Sequence, residues 1–140
     1  MKKILLAAGV LFALSLFRKA RAVYNFQLSI VDLSIGGTIR NPQLFIKIGI
    51  RNNENAAIRF NSLQGRVMLQ NIYVGDIRYT GSDMLIAANS TSYAEIVLTN
   101  LQPTIISNLS TLIRRPVKFA FDGFIGFEGV TIPLNFYYIW

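Results

Sequence analysis

From Tyr24 onward, apolar and polar residues alternate along the chain in a series of short runs. The clearest run extends from Leu44 to Ile50, where every second residue is Leu or Ile. A period of two predicts a β-strand with one buried face. The first run changes phase at Val31, which predicts a bulge or a crossing between sheets. Further strands are predicted over residues 58–60, 63–69 (with Gly65 as a candidate bulge), 72–79, 84–86, 92–98, 117–121 and 130–140.

One late stretch has a helical period instead. Its apolar residues stand at i, i+1, i+4, i+7 and i+8, which forms a single stripe on a helix. Asn100 is the predicted N-cap, and Pro116 is expected to end the helix. We expect the stripe to be buried against the sheets: Ile105, Ile106, Leu109, Leu112 and Ile113.

The strands follow one another without a helix between each pair, which excludes a parallel α/β sheet. A mainly β fold, an antiparallel β-sandwich of seven or eight strands with one late helix, fits the pattern best. We predict a single sandwich domain over residues 23–140. Residues 1–22 are predicted to form a separate N-terminal transmembrane or signal helix.

Ile4 to Phe17 is an unbroken apolar run with basic residues on both sides. At ~1.5 Å per residue it spans roughly 21 Å, short of a ~30 Å hydrocarbon core. The run is interpreted as a retained membrane anchor. The alternatives are a cleaved secretory signal ending at Ala20-Arg21-Ala22 and a buried core helix. The predicted anchor residues are Ile4, Leu5, Leu6, Val10, Leu11, Phe12, Leu14, Leu16 and Phe17. The predicted lipid-headgroup contacts are Lys2, Lys3, Arg18, Lys19 and Arg21.

The excess of positive charge belongs mainly to this N-terminal segment. The chain has 14 basic and 7 acidic residues, but residues 23–140 carry only 9 basic against 7 acidic. That balance predicts no nucleic-acid interface on the sandwich. Outside the N-terminus the only basic cluster is Arg114, Arg115 and Lys118. We expect helix-end charges on a wet surface there, with a phosphate or lipid-headgroup contact as the alternative.

The chain contains no cysteine and no histidine. This excludes disulfides, the usual zinc sites, cysteine nucleophiles and Ser-His-Asp triads. Asp122 and Glu128 are the one carboxylate pair that could face each other across a hairpin, as glycosidase acids do. We expect both to be solvated turn residues instead. The sequence therefore predicts no catalytic residue, metal site, cofactor or small-molecule substrate.

The last strand carries aromatic residues on both of its faces. Most aromatics in the last 22 residues are expected in the core. A strand that is apolar on both faces nevertheless needs two covers, and the second cover could be another protein or a membrane. The candidate partner surface consists of Phe136, Tyr137, Tyr138 and Trp140.

Residues from about Leu44 to Ile139 resemble the late embryogenesis abundant group 2 domain, also called the water-stress and hypersensitive-response (WHy) domain. The resemblance is carried by Phe45–Ile50 running into Asn52, Leu63–Leu69, Gly75 before a strand, the late helix, and Thr131-Ile132-Pro133-Leu134. The family has Asn-Pro where this chain has Asn52-Asn53. The resemblance implies a fibronectin-like sandwich with one helix, and stress protection or structural binding without catalysis.

The expected function is that of a non-enzymatic, membrane-anchored structural or interaction protein. Its expected partners are a lipid bilayer and other proteins or an assembly, in a bacterial envelope or a virion membrane. One alternative is a minor structural protein of a membrane-containing virion or another large assembly. Others are an exported envelope stress-protection protein, secreted or periplasmic after signal cleavage, and a small outer-membrane β-barrel, because the last strand has a barrel-like aromatic alternation.

Overall fold

A computed structural model describes residues 25–38 and 40–140. The predicted anchor and headgroup residues of the N-terminal segment lie outside these residues. The strands are β1 (Phe26–Gly37), β2 (Pro42–Asn52), β3 (Ile58–Leu69), β4 (Ile72–Ile86), β5 (Thr91–Leu98), β6 (Lys118–Phe127) and β7 (Val130–Ile139). A 3₁₀ helix (Pro103–Asn108) and helix α1 (Leu109–Leu112) lie between β5 and β6.

The seven strands form two antiparallel sheets. One sheet has the order β1-β2-β5 and the other the order β4-β3-β6-β7. Their apolar faces pack into one continuous core that takes residues from both sheets. The prediction of a mainly β, antiparallel fold with one helix late in the chain is therefore confirmed.

The central strand β2 shows why the alternation predicted this fold. Leu44, Ile46, Ile48 and Ile50 are each at most 4% exposed, while the residues between them face outward or lie at the sheet surface. Their partners on β5 follow the same period, so that Ile46 lies opposite Ile96. The Leu44–Leu98 and Ile46–Ile96 pairs each bury two branched side chains on the same face, and a slip of one residue would lose this register.

Three local predictions about the strands have different outcomes. The register of β1 against β2 shifts between Ile30 and Asp32, which confirms the predicted bulge. The strands predicted over residues 72–79 and 84–86 are one strand, and residues 81–83 form no turn between them. Instead β4 continues, and these residues form a bulge opposite Asn61, whose side chain donates a 2.6 Å hydrogen bond to Asp83. The prediction of a bulge at Gly65 is also wrong.

Gly65 instead lies in regular pairing with Gly123 on β6. A Cβ on Gly65 would stand 2.7 Å from the Cα of Gly123, and one on Gly123 would stand 2.1 Å from the Gln64 carbonyl oxygen. The two strands therefore approach too closely for any side chain at either position. The ring of Phe121 covers this place from inside the sandwich.

The late helix is shorter and tighter than predicted. The first part of the predicted helix is the 3₁₀ helix Pro103–Asn108, and only Leu109–Leu112 are α-helical. The N-cap position is Gln102 rather than Asn100. Ile105, Leu109 and Leu112 are buried as expected. Ile106 is 37% exposed, because a 3₁₀ turn of three residues places it off the face that an α-helical period assigns to it. No helix of the described residues is long and apolar enough to cross a bilayer.

The sandwich has two distinct ends. At the proximal end the chain joins β1, and the β2–β3, β4–β5 and β6–β7 connections meet there. Asn52, which is fully buried, joins the β2–β3 connection to the β4–β5 connection. Its amide nitrogen lies 2.7 Å from the Ala56 carbonyl oxygen and 3.3 Å from that of Ala87, and its side-chain oxygen accepts a hydrogen bond from the Glu54 N–H at 3.1 Å. The distal end holds the β1–β2 and β3–β4 turns and the Leu98–Val117 connection.

Candidate interaction surface

The aromatic residues at the end of β7 divide between the two faces of the strand. Phe136 and Tyr138 are half-buried and pack against the core, with ring centroids 6.0 Å apart. Phe136 also lies 6.1 Å from the core residue Phe119. Tyr137 points to the opposite face and is 59% exposed. The predicted alternation is therefore present, and of the four candidate residues Tyr137 is the one that reaches solvent most fully.

Trp140 has a role within the chain. Its indole N–H donates a 3.3 Å hydrogen bond to the Val31 carbonyl oxygen, at the bulge of β1. The guanidinium of Arg115 lies 4.3 Å from the ring centroid, close enough for a cation–π contact. Trp140 therefore joins the edge strands of the two sheets on the side where they are otherwise least connected.

β7 is an edge strand, and half of its backbone groups face away from β6. Val117 and Trp140 exchange both backbone hydrogen bonds, at 2.8 and 2.9 Å. Because antiparallel pairing alternates, the odd-numbered residues of β7 direct their N–H and C=O groups to the free edge. Pro133 is one of these residues and has no N–H to offer, which limits strand addition along the whole edge. The stretch from Asn135 to Ile139 has no such block.

Between β1 and β7 lies a narrow apolar crevice. It is lined by core and half-buried residues of both sheets: Leu28, Ile48, Leu63, Ile77, Phe119, Phe121, Leu134 and Phe136. The space open to water inside it is ≈ 10 Å³, about that of a single water molecule. In this conformation the crevice is packed core and offers no room for a ligand.

The outer face of the four-stranded sheet carries a shallow polar hollow. Arg66 lies opposite Asp76 on β4 and Asp122 on β6, and its guanidinium stands 4.6 Å from the Tyr73 ring centroid. The Tyr73 hydroxyl donates a 2.7 Å hydrogen bond to Asp76. That bond, together with partial desolvation, raises the pKa of Tyr73 above its ordinary value. Cations and carboxylates alternate here, as they do on many solvated sheets.

The carboxylate pair considered from the sequence does not form. Asp122 lies opposite Asn135 in the middle of the β6–β7 hairpin. Glu128 lies in the turn, where its carboxylate accepts a 2.9 Å hydrogen bond from the Arg59 N–H. The two acids are kept apart because Asp122 is five residues from the turn. Within residues 25–38 and 40–140, no three carboxylates come together as metal ligands.

No protein-family model matches the chain. A search of curated proteins likewise found no match.

Solved structures do show similarity. The crystal structure of a protein from Archaeoglobus fulgidus has a TM-score of 0.51 at 14% identity, covering 79% of this chain and 92% of that one. The solution structure of a candidate late embryogenesis abundant (LEA) protein has a TM-score of 0.44 at 14% identity, covering 97% and 85%. The first likeness shows a shared fold. The second is too distant for an argument about family.

Exposed apolar side chains lie on the two strands at the free edge of the four-stranded sheet. Phe124 on β6 is 51% exposed, and Tyr137 and Ile139 on β7 are 59% and 49% exposed. The sequence pattern identified Tyr137 from its alternation on β7. It did not single out Phe124 or Ile139, because nothing in a strand pattern tells which of two apolar faces is covered.

Proposed function

We propose that this protein is a non-enzymatic interaction module that is held at a membrane by Ile4–Phe17 and binds another protein through the β7 edge. The single observation that carries the interaction role is the free edge itself. Tyr137 is 59% and Ile139 49% exposed there, and the outward backbone groups of Asn135, Tyr137 and Ile139 pair with no strand of the described residues. Exposed aromatic residues beside an unpaired edge are features of peptide- and protein-binding surfaces.

The attachment part of the proposal is supported by how the chain reaches the sandwich. Asn25 immediately precedes β1, and its side chain donates a 2.8 Å hydrogen bond to Glu54 in the β2–β3 loop. The six residues from Arg18 to Val23 reach only ~20 Å when fully extended. An anchor that ends at Phe17 therefore holds the proximal end of the sandwich close to the lipid headgroups, in a bacterial envelope or a virion membrane.

The family resemblance points in the same direction. The strands that carry it, from Phe45–Ile50 to Thr131–Leu134, lie in both sheets of the sandwich. The division into sheets of three and four strands is consistent with the fibronectin-like arrangement that the resemblance implies. Under this proposal the protein belongs to the structural-binding branch of that family's functions, and its partners are proteins and the bilayer.

The test compares two exposed tyrosines on opposite sheets. Tyr137 is 59% exposed beside the free edge, and Tyr93 is 56% exposed on the outer face of the three-stranded sheet. Each is replaced in the full chain by a photo-crosslinking phenylalanine analogue, and the protein is irradiated in its native membranes. We expect a discrete protein adduct from position 137 and little from position 93. Equal yields at the two positions, or none at 137, would refute the role of the β7 edge.

A further inference from the structure

The charges of the sandwich are unevenly divided between its two ends. The distal end is built by residues 33–46, 67–75, 96–121 and 136–140, which contain no Asp or Glu. They contain four cations, all exposed: Arg40, Arg114, Arg115 and Lys118. The remaining described residues carry five cations and all seven acids. The distal end is thus a positive surface on a domain that is otherwise slightly negative.

The fold brings these cations to one end from different parts of the chain. Arg40 lies in the β1–β2 turn, while Arg114 and Arg115 follow α1. Lys118 starts β6, where its carbonyl oxygen accepts a 2.9 Å hydrogen bond from the N–H of Gln70 in the β3–β4 turn. The segments that carry them contribute no Asp or Glu side chain to neutralise their field.

Apolar residues are interleaved with these cations at the same end. Ile72 beside the β3–β4 turn is 44% exposed, Ile106 on the 3₁₀ helix 37% and Ile139 at the end of β7 49%. Trp140 lies next to them under Arg115. Cations mixed with exposed Ile and Trp are typical of surfaces that lie on the headgroup region of a bilayer. A surface for free phosphate or nucleic acid would need no exposed isoleucines.

We infer that the distal end docks on an anionic lipid surface. The cations contact the headgroups, and the exposed isoleucines enter the boundary between headgroups and acyl chains. Strands of ten to twelve residues at ~3.4 Å each place this end roughly 35–40 Å from the proximal end. If the proposed anchor holds the proximal end in one bilayer, an upright sandwich would present its distal end to a second one. The docking surface itself does not depend on the anchor.

The test uses the full chain reconstituted in labelled neutral phosphatidylcholine vesicles. Sucrose-loaded vesicles containing phosphatidylglycerol are added and sedimented, and the co-sedimenting label is measured. The distal variant Arg40→Gln/Arg114→Gln/Lys118→Gln removes three cations and leaves the Arg115–Trp140 contact in place. The matched control Arg51→Gln/Arg59→Gln/Arg78→Gln has the same net charge and an intact distal end. Both variants are first checked for an unchanged thermal unfolding midpoint.

Each cation near an anionic surface contributes about a five-fold factor in partitioning, so three contribute about a hundred-fold. We expect co-sedimentation of the distal variant to fall by about a hundred-fold, while the control retains most of its co-sedimentation. High salt should weaken the binding of the unmutated chain and of the control. Equal loss in both variants, no loss in the distal variant, or equal binding to neutral heavy vesicles would overturn the inference. If the chain does not stay in the neutral vesicles, the anchor proposal fails. The same variants added as free protein to the heavy vesicles then test the distal end separately.

Discussion

Replacing Asn52 with alanine tests how the proximal end is held together. Asn52 is fully buried, and its side chain makes two hydrogen bonds of good length, to the Ala56 carbonyl oxygen and from the Glu54 N–H. Two longer contacts, of 3.3 and 3.4 Å, reach the carbonyl oxygens of Ala87 and Ile86. Alanine removes all four of these contacts with buried and part-buried backbone groups.

The expected cost follows from these contacts. Each good hydrogen bond contributes about 0.5–1.5 kcal/mol net, and a buried backbone group left unpaired costs about 1–3 kcal/mol. For Asn52→Ala we expect a loss of about 2–4 kcal/mol in the free energy of unfolding. In a domain of this size that lowers the midpoint of thermal unfolding by about 10 °C. Asn52→Asp should cost at least as much, because it keeps the shape but turns a carboxylate toward three carbonyl oxygens.

The assay is thermal unfolding followed by circular dichroism, and the neighbouring Asn53 provides the control. The side chain of Asn53 accepts a 2.9 Å hydrogen bond from the exposed Arg51, so Asn53→Ala should cost less than about 1 kcal/mol. If Asn52→Ala and Asn53→Ala shift the midpoint equally, or if Asn52→Asp is tolerated, the buried amide does not join the loops and the reasoning is refuted.

Two further predictions concern the late helical segment. Leu109 is 2% exposed, so Leu109→Ala should cost ~2–5 kcal/mol in unfolding experiments, whereas Ser110→Ala on the solvent side should cost almost nothing. Ile106→Ala should reduce the free energy of unfolding by less than half as much as Leu109→Ala, because Ile106 is 37% exposed. Equal reductions at the two positions would mean that both residues are buried, as the α-helical period of the sequence predicts.

The strands were predictable because burial of one face imposes a period of two. In β2 and β5 the buried hydrophobic residues stand at every second position, as the alternation predicts. They are Leu44, Ile46, Ile48 and Ile50 on β2 and Ala94, Ile96 and Leu98 on β5. The slip in β1 was equally visible, because an extra residue at Val31 changes the phase of the pattern. In both cases each local signal agrees with the final packing.

Other features depend on partners distant in sequence. Residues 81–83 have turn-forming composition, but pairing of Met84–Ile86 with Ile58–Phe60 keeps them within β4 as a bulge. A glycine within a strand, such as Gly65, is typical of a bulge. Here it is explained instead by the close approach of Gly123 on the neighbouring strand, which the sequence does not show. Asn52 is of a residue type common in turns, and only its contacts with the β2–β3 and β4–β5 loops make it a buried hydrogen-bonding centre.

The candidate surface was predictable in part. Alternation on β7 placed Tyr137 and Phe136 on opposite faces, which the structure confirms. That Trp140 bonds to Val31 could not be read from the chain, because the contact spans 109 positions and depends on how the two sheets meet. The basic residues of the distal end were visible as a cluster at 114–118. Their separation from every acid becomes apparent only when the turns are assembled.

Washing of membranes that contain the full chain tests the central claim of membrane attachment most directly. The unmutated protein should remain in the membrane pellet after high salt and after alkaline carbonate, because an apolar segment holds it. Leu11→Asp/Leu14→Asp places two charges in the apolar run, at roughly 2.5–3.5 kcal/mol each, and should release a folded protein into the supernatant. The matched control, Leu85→Asp/Val97→Asp at exposed positions of the sandwich, should stay in the pellet. Release of the unmutated chain by salt or alkali would contradict the account.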